Sequence, residues 1–98
     1  MIAVPLKSGA GNAHQVFDVP LGDNFLRFTI NYITTEPTWS VDIDREGVRL
    51  VAGAMLEPNA IITSNYEAGI GKLIFVGDDV TLDNLGINNT LVWVADDE

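Results

Sequence analysis

The chain contains no cysteine. Disulfides and thiolate metal sites are therefore ruled out, and a hydrophobic core must hold the 98 residues together. Histidine is nearly missing as well, since His14 is the only one. A lone histidine at a loop-to-strand boundary, with no cysteine and no second histidine, is a poor metal site and a poor triad. Positive charge is scarce: five Lys and Arg stand against fourteen Asp and Glu, for a net charge of −9. Docking on a phosphate backbone or an anionic membrane needs clustered cations, so neither nucleic acid nor membrane is expected as a direct partner. No apolar run approaches the roughly 20 residues of a transmembrane helix. The opening Met-Ile-Ala-Val-Pro-Leu-Lys has neither the basic start nor the apolar stretch of a signal peptide. These absences predict a soluble protein made in the cytoplasm.

What is present is apolar. Hydrophobic residues make up 47% of the chain and charged ones only 19%, below the roughly 25% usual for soluble domains. A small protein of this kind packs unusually well or hides some of its surface in an assembly. The length predicts one domain over residues 1–98. The acidity is uneven. Residues 1–49 sum to −2 and residues 50–98 to −7, a distribution that suits a basic protein neighbour.

The clearest pattern is WSVDIDREGVRLVAG, residues 39–53. Trp39, Val41 and Ile43 alternate with Ser40, Asp42 and Asp44, the period of a strand with one buried face. Asp-Arg-Glu-Gly follows as a turn, with Gly47 where a left-handed backbone is wanted. Val48, Leu50 and Ala52 resume the alternation. An even loop over residues 44–47 pairs Ile43 with Val48, Val41 with Leu50 and Trp39 with Ala52, and sets Asp42 opposite Arg49 on the other face.

Around this hairpin the chain reads as further short strands. Residues 2–6 form an edge strand carrying Pro5, 7–13 a flexible loop, 15–19 a strand and 20–23 a turn. Residues 25–32 form a longer strand with Leu26, Phe28, Ile30 and Tyr32 on one face. After a loop at 34–38 and the hairpin, Gly53 marks a bulge or corner. Residues 57–59 turn, 60–63 form a short strand, 64–71 a loop and 73–76 a buried strand. Residues 78–86 have room for one short helical turn, and 90–95 form the last strand. The acidic tail, 96–98, is expected to fray. Seven to eight short antiparallel strands with turn signals near every ten residues predict an all-β sandwich or small barrel. The alternation is the same in both.

A search for chemistry returns little. Asp78, Asp79 and Asp83 lack the oxygen spacing and glycine of a calcium loop. Gly69-Ile70-Gly71-Lys72 lacks the upstream glycine and following Ser or Thr of a phosphate loop, and it precedes a strand rather than a helix. Asn88-Asn89-Thr90 matches a glycosylation sequon only by pattern. Trp39, Trp93, Phe28 and Phe75 fit a core better than a stacking platform. No catalytic residue, metal ligand or cofactor is expected.

An ordered set of segments resembles a known family. It comprises Gln15-Val16-Phe17-Asp18-Val19-Pro20-Leu21-Gly22, Leu26-Arg27-Phe28, Asn31, Trp39-Ser40-Val41-Asp42-Ile43, Gly47, Leu50-Val51-Ala52-Gly53, Asp83-Asn84-Leu85-Gly86 and Leu91-Val92-Trp93-Val94. Together with the short apolar start, this set resembles the small baseplate plug family of contractile-tailed bacteriophages and prophages over nearly the whole chain. The resemblance implies a non-enzymatic virion structural protein. It would sit on the tail axis beside hub, spike or tail-tube proteins, be oligomeric in that assembly, and be present in the host cytoplasm while particles are built. Its functional residues would then be interface residues. The exposed loops 7–13 and 64–71 and the edge near Pro5 supply the candidates: Pro5, Lys7, Asn12, His14, Tyr66, Ile70 and Lys72. Two readings of other classes stand beside this one. The acidic second half would suit a DNA mimic that occupies a host DNA-binding protein. A pocket lined by Trp39 or Trp93 would suit a small-ligand or sugar-binding β-domain.

Overall fold

Period-two alternation becomes strands throughout the computed structural model, which describes residues 2–63 and 70–95. Eight strands lie among those residues: β1 (Ile2–Val4), β2 (His14–Leu21), β3 (Asn24–Ile33), β4 (Thr38–Arg45), β5 (Val48–Met55), β6 (Ala60–Ile61), β7 (Lys72–Gly77) and β8 (Asn89–Val94). Strands β2 to β5 form one sheet in sequence order, an up-and-down meander. The second sheet has the order β1-β8-β7-β6, with every neighbouring pair antiparallel. The two sheets do not close on each other, so of the two all-β architectures the sequence left open, the sandwich is the one adopted. Among the described residues there is one 3₁₀ turn, Ala10–Asn12, and no helix long and apolar enough to cross a membrane.

The core lies between the inner faces. One sheet contributes Leu21, Leu26, Phe28, Ile30, Trp39, Val41, Ile43 and Val51, all fully buried; the other contributes Val4, Leu73, Phe75, Leu91 and Trp93. Each large side chain buried in this way contributes roughly 1.5–3 kcal/mol. Phe17 stacks on Phe28 with ring centroids 5.5 Å apart, and Tyr32 meets Trp39 edge-on at 5.2 Å. Both indole N–H groups are satisfied: Trp39 Nε1 donates to the Thr81 carbonyl at 3.0 Å, and Trp93 Nε1 donates to the Ile70 carbonyl. Both tryptophans lie in the core, Trp39 fully buried and Trp93 nearly so.

The hairpin is where sequence and structure part. Its turn is two residues, Glu46 and Gly47, with Arg45 paired to Val48. Both turn residues have positive φ, 52° and 80°, the signature of a primed turn, whose twist matches that of the strands. Gly47 is left-handed as expected, but the loop is shorter than residues 44–47. The register then slips twice. Asp44 pairs with Arg49, Ile43 with Val51 and Val41 with Ala54, so Leu50 and the Ala52-Gly53 pair bulge out of the ladder. The buried residues of β5 are consequently Val51 and Ala54, followed by Leu56; Leu50 is half-buried against the core, whereas Val48 and Ala52 are exposed. Gly53, with φ of 67°, is the corner the sequence marked, and its N–H donates to Asp42 Oδ1 at 2.7 Å.

Other segments also differ from expectation: β1 ends at Val4, so Pro5, whose ring leaves no N–H for a ladder, lies beyond the edge strand rather than in it. The turn after β2 is only Gly22 and Asp23, because Leu21 still pairs with Asn24. Ladder pairing in the segment 60–63 ends at Ile61, although Ile62 N–H still donates to the Leu73 carbonyl at 2.8 Å. The segment 78–88 is built of turns, one of them a helical turn in which Asn88 N–H donates to the Asn84 carbonyl at 3.3 Å. Asn84 and Asn89 hold it: Asn84 Oδ1 accepts from Thr81 N–H at 2.7 Å, Asn84 Nδ2 donates to the Asp79 carbonyl at 2.8 Å, and Asn89 Oδ1 accepts from Gly86 N–H at 2.7 Å. Side-chain amides that satisfy nearby backbone groups compete with helix formation. The acidic tail, 96–98, lies outside the described residues.

Candidate functional site

The segment between β1 and β2 carries the chain from one sheet to the other and builds the first candidate surface. It is more ordered than a flexible loop. Gly9 N–H donates to the Leu82 carbonyl at 2.7 Å, and Asn12 N–H to the Gly9 carbonyl at 3.0 Å. Gln15 acts as its clasp: Oε1 accepts from Lys7 N–H at 3.1 Å, while Nε2 donates to the carbonyls of Lys7 and Asn12 at 2.7 and 3.0 Å. Asn12 Nδ2 donates in turn to the Ser8 carbonyl at 2.9 Å. The result is an open cavity of about 420 Å³ lined by Pro5, Lys7, Asn12, Gln15, Val16 and Phe17.

Three of the predicted interface residues, Pro5, Lys7 and Asn12, meet in that cavity. His14 begins β2 beside it, exposed, with Nδ1 donating to Asn31 Oδ1 across the β2–β3 pair. The remaining candidates do not join them. Lys72 is exposed at the start of β7 in the other sheet. Ile70 is a core residue, only 2% exposed, because it packs inward ahead of β7 and offers its carbonyl to Trp93. Tyr66, with residues 64–69 of the predicted loop, lies outside the described residues. Sequence reasoning missed Gln15, whose side chain organises the cavity. Its polar side chain in an otherwise apolar inward series (Gln15, Phe17, Val19) was the available signal.

The outer face of the β2–β5 sheet is charged in an ordered way. Asp18, Arg27, Asp44 and Arg49 occupy one register row, each directly paired with the next across all four strands. Arg27 Nε sits 2.8 Å from Asp18 Oδ1 and Arg49 Nε 2.6 Å from Asp44 Oδ1, and Arg49 also reaches Asp42 at 3.4 Å. The hydrogen bond from Arg27 holds the Asp18 carboxyl below the usual carboxylate range; the bonded carboxylates raise both guanidinium groups above theirs. At the hairpin end of this row a second cavity of about 400 Å³ is lined by Asp18, Phe25, Arg27, Asp44, Glu46 and Gly47.

The outer face of the other sheet is the opposite in character. Ala3, Val92, Ile74 and Ile61 form one register row across β1, β8, β7 and β6. Val76 and Val94 lie on the same face by alternation, with Thr90 and Lys72. Chemically, the molecule thus offers apolar and hydrogen-bonding surfaces for docking. Among the described residues, no three His, Asp or Glu side chains gather to hold a metal ion.

A comparison with curated proteins returned no match. A family model described as the cyanophage baseplate Pam3 plug gp18 matches residues 1–97. The family expected from the ordered segments and the family matched over almost every residue agree, and the chain belongs to this family of phage baseplate plugs.

Proposed function

We propose that the chain is a non-enzymatic plug on the axis of a contractile tail, seated against hub, spike or tail-tube subunits and assembled there in more than one copy. A structural role in the phage baseplate follows from the family. The finer placement is supported by the surfaces. A β-sandwich with two ordered sheet faces is suited to being gripped from several sides, and its cavity is lined by Pro5, Val16 and Phe17 together with the polar Lys7, Asn12 and Gln15. The match over residues 1–97 is the observation that carries the reading. The chain would be made in the host cytoplasm and end in the virion tail.

Mass spectrometry of purified tails, separated from the soluble lysate of the same infection or induction, tests it. The expected result is this chain in the tail fraction at a few copies per particle, beside hub and spike proteins. Recovery in the soluble lysate alone would overturn the placement.

A further inference from the structure

Resting on the multi-copy part of the plug reading, we propose that the free edge of β2 is a contact between copies. It pairs antiparallel with β2 of a second copy, about a two-fold axis through Val16. Four strands end the two sheets: β1, β6, β2 and β5. Three of them are blunted in ways that discourage pairing. Strands β1 and β6 are three and two residues long, and β5 is broken by its two bulges. Strand β2 runs for eight residues without a shift in its register.

The direction of its backbone groups follows from the ladder. Leu21 and Asn24 close a two-residue turn, and Tyr32 N–H donates to the Ala13 carbonyl at 2.8 Å. The odd-numbered residues of β2 therefore bond to β3, and the N–H and C=O groups of His14, Val16 and Asp18 point to the free edge. Among the described residues, nothing hydrogen-bonds to those groups. The Gln15 clasp uses a side chain and leaves them open. Pro20 has the same orientation but no N–H, so it ends the usable edge on one side. The turn at Ala10–Asn12 ends it on the other.

What remains, His14 to Asp18, is complementary to itself. Pairing about Val16 sets Val16 opposite the second copy's Val16. It also sets His14 opposite the second copy's Asp18, once at each end, and each opposed pair exchanges two hydrogen bonds. The same register brings Pro20 to Asn12, where both usable edges have already stopped. Val16 is 51% exposed in the single copy, and this pairing covers it with an apolar neighbour. The charges fit as well. The row Arg49, Asp44, Arg27, Asp18 alternates in sign and stops at the β2 edge on a carboxylate. The second copy's His14 takes the next place and offers Nε2, since Nδ1 is engaged by Asn31. The ground around this edge is neutral although the whole chain carries −9: over residues 5–33, Lys7 and Arg27 balance Asp18 and Asp23. Two copies meet here away from their acidic second halves.

Sedimentation of the purified chain from about 10 μM to about 1 mM tests the pairing. The expected result is a monomer–dimer equilibrium. Val16→Pro removes an N–H that β3 does not use, at the parity where Pro20 is already accommodated. Val16→Lys sets like charges opposite each other across the axis. Each should raise the dimer dissociation constant about tenfold or more, and melting temperatures identify the folded variants. Val16→Lys carries the test should Val16→Pro fail to fold. The chain has no cysteine of its own, so Val16→Cys treated with a short bismaleimide should give a covalent dimer. Val48→Cys, exposed on the opposite edge strand, should not. A monomer at every concentration, a dimer that the folded variants leave unchanged, or crosslinking at position 48 but not at 16 would overturn the pairing and leave the plug reading to its own test in tails. A dimer with the expected sensitivities, from a chain absent from tails, would overturn the plug reading alone.

Discussion

Arg27 is placed between two carboxylates in the register of the sheet, Asp18 on one side and Asp44 on the other. The four-residue row ending at Arg49 alternates in sign at every step, so each charge meets opposite charges and no like pair is adjacent. These side chains are exposed, and salt screens such contacts, so their role is to select the register more than to supply stability. One pH dependence follows from Asp18. Its carboxyl titrates lower in the folded chain than in the unfolded one because of the Arg27 hydrogen bond. The stabilisation is therefore complete above the unfolded value and is lost as pH falls through the folded one. Melting temperatures of the wild type and Asp18→Asn should differ at pH 6 and converge as pH falls through and below the ordinary carboxylate range. The difference should also shrink in 1 M salt. A gap that stays constant over that range would show that the pair does not titrate with folding. Lone His14, by contrast, is occupied by Asn31, and its place at a loop-to-strand boundary is all the sequence disclosed of it.

At the scale of the element, the β4–β5 hairpin shows what sequence patterns carry and what they lose. Gly47→Val tests the turn. Nothing lies within 4 Å of a Cβ built at Gly47, so the cost is conformational alone: a β-branched residue held at φ of 80° should lose more than ~1 kcal/mol. Gly47→Asn, which tolerates this region, should lose much less. Equal denaturation midpoints for wild type and Gly47→Val would contradict the drawn turn. The existence of the hairpin, its buried Trp39, Val41 and Ile43, and the left-handed glycine were all legible, because each follows from alternation or from a residue's own conformational limits. The register was not. Alternation assumes one residue for one, and two bulges in β5 break that count at Leu50 and at Ala52-Gly53. Only Gly53 carried any mark of this. Asp42, read as a partner for Arg49, does approach it, but its carboxylate also accepts the N–H freed at Gly53. The candidate cavity was half legible for a similar reason. Lys7 and Asn12 could be recognised as loop residues and Pro5 as an edge residue, but their convergence depends on Gln15 and on a hydrogen bond to Leu82 far along the chain.

For the whole molecule, Trp39 is the residue through which the two halves answer to each other. It belongs to the first sheet, yet its indole N–H donates to the Thr81 carbonyl in the segment joining β7 to β8. Trp39→Ala should cost about 3–5 kcal/mol in chemical denaturation, since it opens a cavity and strands that carbonyl. A loss below ~1 kcal/mol would mean the ring is not part of the core. The division of strands between sheets was the part least visible in the sequence, because pairing partners are not written in periodicity. The meander β2 to β5 joins strands adjacent in the chain, whereas β1 pairs with β8, setting Ile2 opposite Trp93. That one pairing has a consequence in time. At about 5–20 residues per second of synthesis, β1 leaves the ribosome several seconds before its partner exists, while the meander can already close. Strand β1 is therefore among the last to be paired, and a nascent chain cut short before β8 has one complete sheet and only the β6–β7 pair of the second. A folding order of this kind acts as a length check: only a chain translated through β8 can present both finished faces to a growing particle.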